Sequence, residues 1–382
     1  MRVFPTLKKS KIFYRYLSTH SRSGSFYTPI AFLNGRFDGW NVFSVFEVKF
    51  YAFGRMDCPY TDAEFGWDML DIFYPLSRPG AIFRHPCPKD MPVGYFSGTP
   101  MGSVDVLPIE AEDYSEYPLL CAIGYNKAIV EDMDKLYAYV KNGGTLFIGT
   151  SQLSVTTDRT DIENYSLKYI EHPFTKEISN LSNFVEDAYN GNVIHICSQI
   201  PNKATIVEHT DCGNALIYSI KVGKGKVFVL NTREYAGNKS VYDIVKNTIK
   251  SLSKEIFDRE TVWAEGNDVV QFTAYKQENG DMHFYFLSTD WYCTDKPIRT
   301  AKLRIGNYKY DIDINFGRMI KAVVSDEVGA WFECENCDVL EITNNNIKVQ
   351  GIDNGILNIA QNGQVKKIEV DFTSDSIVTI EI

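Results

Sequence analysis

The side chains most capable of chemistry gather first in the segment NGRFDGW, residues 34–40. It follows a short apolar run and holds four groups that could contact one ligand: Asn34, Arg36, Asp38 and Trp40. A guanidinium can fork two hydrogen bonds to a carboxylate or a hydroxyl pair, and an indole can stack on a sugar ring. Asp38 can accept from hydroxyls and is also a candidate catalytic carboxylate. A second interpretation stays open, namely a self-contained loop in which Arg36 pairs with Asp38 around Trp40.

A further aromatic candidate, Trp67, lies in the segment TDAEFGWDMLDIFYP, residues 61–75. Thr61 as N-cap and Glu64 three residues later complete a capping box, and Pro75 follows the end of the pattern. The segment is therefore predicted to be a helix. On that helix Trp67 is either a core residue or a substrate contact.

The run GGTLFIGTSQL, residues 143–153, leads from a strand-like stretch into a turn that could hold a nucleophile. A nucleophile elbow places Ser or Cys on a tight turn between small residues. Here the turn carries Thr150 and Ser151 after Gly149, and a glutamine and a leucine stand in place of the second glycine. A serine nucleophile also needs a histidine base and an acid. None of the six histidines lies in a recognisable triad context, so Ser151 is a candidate without a visible base.

Cofactor and metal motifs do not occur. No GxGxxG follows a strand-like run, and neither GxxxxGK[ST] nor HExxH is present. The eight cysteines include one closely spaced pair, Cys334-x-x-Cys337, without the second pair or nearby histidines that zinc requires. We therefore expect no cofactor, no metal and mostly reduced thiols.

The composition indicates a globular protein and argues against several classes of partner. The chain has 382 residues, 44% of them hydrophobic, which suffices for a sizeable core. Its 39 basic and 49 acidic residues give a net charge of -10, which argues against nucleic acid or an anionic membrane as main partner. The first residues lack the apolar core of a secretion signal, and no run is long enough to span a membrane. These features predict a cytoplasmic protein, unless the chain is a piece of a longer secreted one.

The elements that would position the candidate residues follow an α/β rhythm. Apolar runs and a helical pattern that Gly143 and Gly144 stop indicate a βαβ unit, and hence a parallel sheet. The predicted elements are strands at 28–35, 104–108, 117–125 and 145–150 and helices at 128–144 and 240–256. Short alternating runs across 165–232 indicate an antiparallel extension of the sheet, with GKGK (223–226) as a tight turn. Ligands of such sheets bind beyond the carboxyl ends of the strands, where residues 34–40 and 151 would lie.

From about residue 258 onward the pattern consists of strands alone. Alternating runs separated by turn signals indicate a β-sandwich, and the run 269–288 is a hairpin with Asn279-Gly280 at its tip. The expected organisation is an N-terminal helix and linker (1–24), an α/β domain (25–257) and a C-terminal β-sandwich (258–382).

Several of these segments, taken in order, resemble a known domain. They are PIAFLNGRFDGW, GTPMGSVDVLPIEA, YPLLCAIGYN, YVKNGGTLFIGTSQL and GKGKVFVLNTREY. Together they look like the glutamine-amidotransferase-like, flavodoxin-like domain of large bacterial glycoside hydrolases, similar to the trimerisation domain of family 42 β-galactosidases. In that family the domain follows a catalytic TIM barrel and precedes a C-terminal β-domain.

The resemblance implies a class I glutamine-amidotransferase-like fold with a mostly parallel sheet, followed by an all-β sandwich. It also implies that glutamine hydrolysis is absent, because the amidotransferase cysteine is replaced by Thr150-Ser151. The barrel that would carry the catalytic carboxylates is missing from these residues.

Three functions remain open at this point. The first is a non-catalytic C-terminal part of a glycoside hydrolase that serves oligomerisation, active-site capping or sugar contact. Its partners would be carbohydrate, a catalytic barrel and further copies of itself. The second is a stand-alone hydrolase with its site at the sheet edge. The third is a carbohydrate-binding or scaffold protein.

Overall fold

The structure is a computed structural model. It describes residues 24–34, 44–45, 48–49, 101–123, 128–153, 169–181, 184–234, 236, 240–267, 270–288, 298–315, 318–343, 345–372 and 377–382. The described helices are α1 (Val130–Asn142), α2 (Pro173–Ile178) and α3 (Tyr242–Arg259), and a 3-10 turn spans Thr150–Leu153. The predicted N-terminal helix and the predicted helix at 61–75 lie outside the described residues.

Twenty-four strands make the described part of the chain rich in β-structure. The first twelve are β1 (Ser25–Phe26), β2 (Ile30–Asn34), β3 (Ser44–Val45), β4 (Val48–Lys49), β5 (Asp105–Pro108), β6 (Leu119–Ala122), β7 (Thr145–Gly149), β8 (Phe184–Tyr189), β9 (Asn192–Cys197), β10 (Thr205–His209), β11 (Ala215–Val222) and β12 (Gly225–Leu230). The others are β13 (Val262–Glu265), β14 (Val270–Lys276), β15 (Met282–Ser288), β16 (Ile298–Ile305), β17 (Tyr308–Asn315), β18 (Met319–Ser325), β19 (Val328–Phe332), β20 (Cys337–Ile342), β21 (Asn346–Gly351), β22 (Gly355–Gln361), β23 (Gln364–Val370) and β24 (Ile377–Glu381).

The chain divides into two units, one of which comprises residues 28–88 and 104–259. Its main sheet has the order β10-β11-β12-β7-β6-β2-β5. The strands from β12 to β5 run parallel, whereas β10, β11 and β12 pair antiparallel. All four residues of β6 are buried, as expected of a parallel strand covered on both faces. The predicted βαβ arrangement of β6, α1 and β7 is therefore confirmed.

Helix α1 contributes its apolar face to the core of this unit. Met133, Leu136 and Val140 are fully buried there. The helix ends at Gly143, whose φ of 124° is a conformation that glycine adopts without steric cost. The predicted helical stop at the glycine pair is confirmed, and the helix begins at Val130, two residues later than predicted.

The prediction that all strands of 165–232 extend the sheet antiparallel is wrong in two places. Strand β12 pairs parallel with β7, and it is buried on both faces as a central strand requires. Strands β8 and β9 pair only with each other, in a separate two-stranded sheet. Most residues of β8 are at least partly exposed, so this ribbon has no second apolar face to bury.

The ribbon is tied to the turn before β11 by Asp187. Burial raises the pKa of this carboxyl, but hydrogen bonds outweigh burial and lower the pKa to about 2. The donors include Asn214 Nδ2 and Thr210 Oγ1, each at 2.8 Å, and the backbone N–H of Ala188 at 2.7 Å.

This carboxylate predicts a pH dependence of stability. The folded pKa is about 2 and the unfolded pKa is about 3.9, so the contribution is complete above the unfolded value. It is lost as the pH falls from about 4 to about 2. We expect Asp187→Asn to reduce the loss of stability across this interval, as measured by urea unfolding at several pH values. An unchanged acid limb in the variant would show that the hydrogen bonds do not favour the charged form.

The other unit comprises residues 1–27, 89–103 and 260–382. A seven-stranded sheet has the order β1-β14-β15-β18-β19-β22-β23, and two three-stranded sheets are formed by β13-β16-β17 and β20-β21-β24. One core cluster joins Val323 and Ala330 of the large sheet to Val339 and Val349 of the sheet that holds β20. The predicted hairpin is confirmed, with Gly280 at its tip at a φ of 94°.

Candidate functional site

The candidate site lies at the carboxyl ends of β7 and β12. These strands are parallel neighbours, with Gly149 opposite Leu230. The segments that follow them, Thr150–Leu153 and residues 231–234, therefore start side by side at one edge of the sheet. This is the edge at which ligands bind in parallel sheets.

The turn after β7 is closed by its own side chains. Thr150 and Leu153 have no exposed surface, and Ser151 and Gln152 are 4% and 3% exposed. Gln152 Oε1 accepts a hydrogen bond of 3.0 Å from the backbone N–H of Gly149. A Cβ at residue 149 would lie 2.3 Å from that oxygen, so glycine is required for the glutamine to close the turn. The candidate nucleophile Ser151 is thus buried in a turn whose interior the Gln152 side chain occupies.

A histidine and a carboxylate meet beside this turn. His195 Nδ1 lies 2.7 Å from Glu234 Oε1, and the backbone N–H of His195 donates to Glu234 Oε2 at 2.8 Å. The side chains are 31% and 12% exposed, respectively. A carboxylate accepts from Nδ1–H, so this contact assigns Nε2 as the unprotonated nitrogen of the neutral ring.

Thr232 connects the pair to the turn. Its carbonyl accepts from Thr150 Oγ1 at 2.7 Å, and its own hydroxyl contacts both Glu234 Oε2 and the His195 carbonyl. Asn231, fully buried, donates through Nδ2 to the carbonyls of Cys197 and Ala215 at 3.0 and 2.8 Å. The residues at this edge therefore form one hydrogen-bonded network, in which a carboxylate fixes the orientation of a histidine ring.

Sequence reasoning missed the His195–Glu234 pair. The two residues are 39 positions apart, and β9, which carries the histidine, lies outside the main sheet. One signal was present, since the polar NTRE run (231–234) directly follows a buried strand. The predicted antiparallel orientation of β12 would have put that run at the opposite edge of the sheet.

The other predicted site residues are mostly outside the described part of the chain. Asn34 ends β2 at the same edge of the sheet, and nothing further is described of it. Arg36, Asp38, Trp40 and Trp67 lie outside the described residues. Their grouping into a substrate-contact loop stays a prediction.

The described residues contain no group of three or more His, Cys, Asp or Glu side chains arranged to hold a metal ion. No helix among them is long and apolar enough to cross a membrane.

Comparison with solved structures returns β-galactosidases as similar chains. The β-galactosidase of Halorubrum lacusprofundi is 15% identical, with a TM-score of 0.45, over 82% of this chain and 42% of its own. That of Bacillus circulans sp. alkalophilus is 10% identical, with a TM-score of 0.44, over 97% and 43%. A catalytic mutant of a GH42 β-galactosidase of G. stearothermophilus is 14% identical, with a TM-score of 0.41, over 93% and 40%.

This chain thus spans less than half the length of these β-galactosidases. No protein-family model matches it, and no curated protein does.

Proposed function

We propose that this chain is a non-catalytic part of a bacterial carbohydrate-active enzyme. In this proposal the unit with the parallel sheet is flavodoxin-like, of the glutamine-amidotransferase-like type, and the unit with residues 260–382 is a β-sandwich. The part would serve oligomerisation, capping of a partner barrel's active site, or sugar contact. The residue pattern that resembles family 42 β-galactosidases supports it, as does the parallel order of β12, β7, β6, β2 and β5.

The observation that carries the non-catalytic role is the closed turn after β7. A nucleophile must present its oxygen or sulfur to a substrate, whereas Ser151 is 4% exposed. Gln152 fills the space beneath Gly149 and uses the Gly149 N–H, the kind of donor that an oxyanion hole would need free. The turn is thus built for stability at the position where related folds carry chemistry.

A second candidate function is a hydrolase that uses the same edge. The specific observation in its favour is the His195–Glu234 contact of 2.7 Å, which has the geometry of a base held by an acid. Ser151 would be its nucleophile, after a rearrangement that exposes the hydroxyl.

One experiment separates the two functions. The full chain is incubated with chromogenic galactosides, glucosides, fucosides, arabinosides and simple esters, and its mass in solution is measured by light scattering. We expect no turnover above the protein-free blank and a species larger than one chain.

Variants decide how any turnover is to be read. Turnover that Ser151→Ala and Glu234→Gln each reduce by a factor of about 10² or more would establish the hydrolase and overturn the accessory role. Ser219→Ala is the matched control, because Ser219 is equally buried (5% exposed) in β11, away from the turn. Turnover that all three variants retain would place an active site elsewhere in the chain and would contradict both functions.

A further inference from the structure

We propose that Cys334 and Cys337 form a redox-active dithiol that exchanges with low-molecular-weight disulfides, such as glutathione disulfide. This inference is independent of the proposed function, because the pair lies in the other unit, with Cys334 on the turn between β19 and β20 and Cys337 as the first residue of β20. Both residues are free thiols in the structure.

The two sulfur atoms share one small space beside Gly355, the first residue of β22. A Cβ at residue 355 would lie 2.7 Å from Cys337 Sγ and 3.3 Å from Cys334 Sγ. Both sulfurs therefore converge on one backbone position, and the missing side chain of Gly355 makes room for them. Because both sulfurs lie within 3.3 Å of one point, they are close neighbours, which is the arrangement a disulfide needs.

The two thiols differ in access and in hydrogen bonding. Cys334 is partly exposed on the turn, whereas Cys337 is 9% exposed and its Sγ lies 3.2 Å from the carbonyl oxygen of Asp353. A hydrogen bond from Cys337, aided by the backbone N–H groups of Asn336 and Cys337, lowers the pKa of Cys334 to about 6. The same hydrogen bond, together with burial, raises the pKa of Cys337. Cys334 is thus the reachable thiolate and Cys337 the buried partner.

The charged groups around the pair do not reverse this assignment. The negative charge of Asp353 raises the pKa of both thiols and that of Asp338 raises the pKa of Cys337, yet the pKa of Cys334 is lowered overall. The two turn glutamates are neutralised by cations, Glu333 by Lys367 and Glu335 by Arg318.

The exchange has two steps. The Cys334 thiolate attacks one sulfur of the small disulfide, an S–S bond breaks, and one small thiolate leaves as the mixed disulfide forms. Cys337 then gives up its proton and attacks Cys334 Sγ, which releases the second small thiolate, and that thiolate takes up the proton. The chain loses two electrons and the small disulfide gains them, so that one small thiolate and one small thiol are produced, and the thiolate takes up a proton from water.

The first test is alkylation of the full chain by iodoacetamide at neutral pH, followed by peptide mass spectrometry. Cys212 is the internal control, because it is exposed but hydrogen bonding to Asp187 raises its pKa. We expect Cys334 to react on the order of tenfold faster than Cys212, despite its lower exposure. Equal rates, or a faster Cys212, would overturn the proposal.

The second test is oxidation by glutathione disulfide. The wild-type chain should lose two hydrogen atoms and yield a peptide in which Cys334 and Cys337 are linked. Cys337→Ser should instead accumulate a stable glutathione adduct at Cys334, and Cys334→Ser should form neither product. A lasting adduct on the wild-type chain would show that Cys337 does not resolve it. The wild-type measurements decide the proposal even if a serine variant fails to fold.

Discussion

Replacement of Gly225 by alanine is expected to lower the free energy of unfolding by about 3 kcal/mol. Gly225 begins β12, and the tight turn before it lies against the end of α1. A Cβ at this position would lie 2.2 Å from the carbonyl oxygen of Val140 and 2.3 Å from that of Gly144. Both contacts are with main-chain atoms, so neither can be relieved by a side-chain rotation.

The close approach is fixed by hydrogen bonds on either side of the glycine. Lys224 N–H donates to the Lys141 carbonyl at 3.1 Å, and Lys226 N–H donates to the Gly144 carbonyl at 3.3 Å. An added methyl group must therefore separate the turn from the helix and weaken both bonds. Gly223 makes the same approach, since its Cβ would lie 2.8 Å from backbone atoms of Lys141.

Urea unfolding of the full chain, followed by circular dichroism, measures the effect. Gly213→Ala is the matched control, because Gly213 has a φ of 86° but no atom within 4 Å of an added Cβ. We expect that variant to lose only about 1–2 kcal/mol, the cost of the left-handed backbone. If both variants lose the same amount, the contact between the turn and α1 is not what Gly225 is needed for.

Trp263→Ala is expected to destabilise the unit with residues 260–382 by about 3–5 kcal/mol. The indole of Trp263 is 2% exposed and meets three rings edge to face, with centroid distances of 5.7 Å to Tyr27, 5.7 Å to Phe272 and 6.0 Å to Phe284. Truncation leaves a large cavity among rings that cannot all move into it. It also removes edge-to-face contacts that contribute beyond the buried area.

Phe26→Ala is the control for Trp263→Ala in the same unit. Phe26 also contacts an aromatic ring, Tyr275 at 4.2 Å, but it is 48% exposed. We expect its loss to cost less than about 1 kcal/mol, because water already reaches half of its surface. Thermal and urea unfolding of the two variants compare the loss of a buried aromatic side chain with the loss of a half-exposed one. Similar losses would show that Trp263 does not organise the core.

Local sequence patterns predicted many of the helices and strands. Strands β2, β6 and β7 are continuous apolar runs, and α1 has apolar residues at helical spacing. Such patterns depend only on the local order of residues, so the sequence alone predicts these elements. The hairpin around Gly280 was equally visible, because its turn needs a residue that tolerates positive φ.

The pairing of strands and the candidate site were harder to predict from the sequence. Whether β12 pairs with β7 in parallel depends on contacts between residues about 80 positions apart, and no local preference reports them. The His195–Glu234 contact depends in turn on that pairing, since β12 carries the loop with Glu234 to the edge. The sequence placed Ser151 on a turn, but it gave no sign that the turn, closed by Gln152, buries this serine.

The two edges of the parallel sheet have a consequence for assembly. Among the described strands, β10 and β5 are the outermost of that sheet. The register of β10 is broken on both sides of Glu208, and β5 ends at Pro108, which has no N–H to donate. Bulges and prolines protect exposed edges against pairing with a second sheet. A homo-oligomer of this chain would therefore not extend this sheet from one subunit into the next.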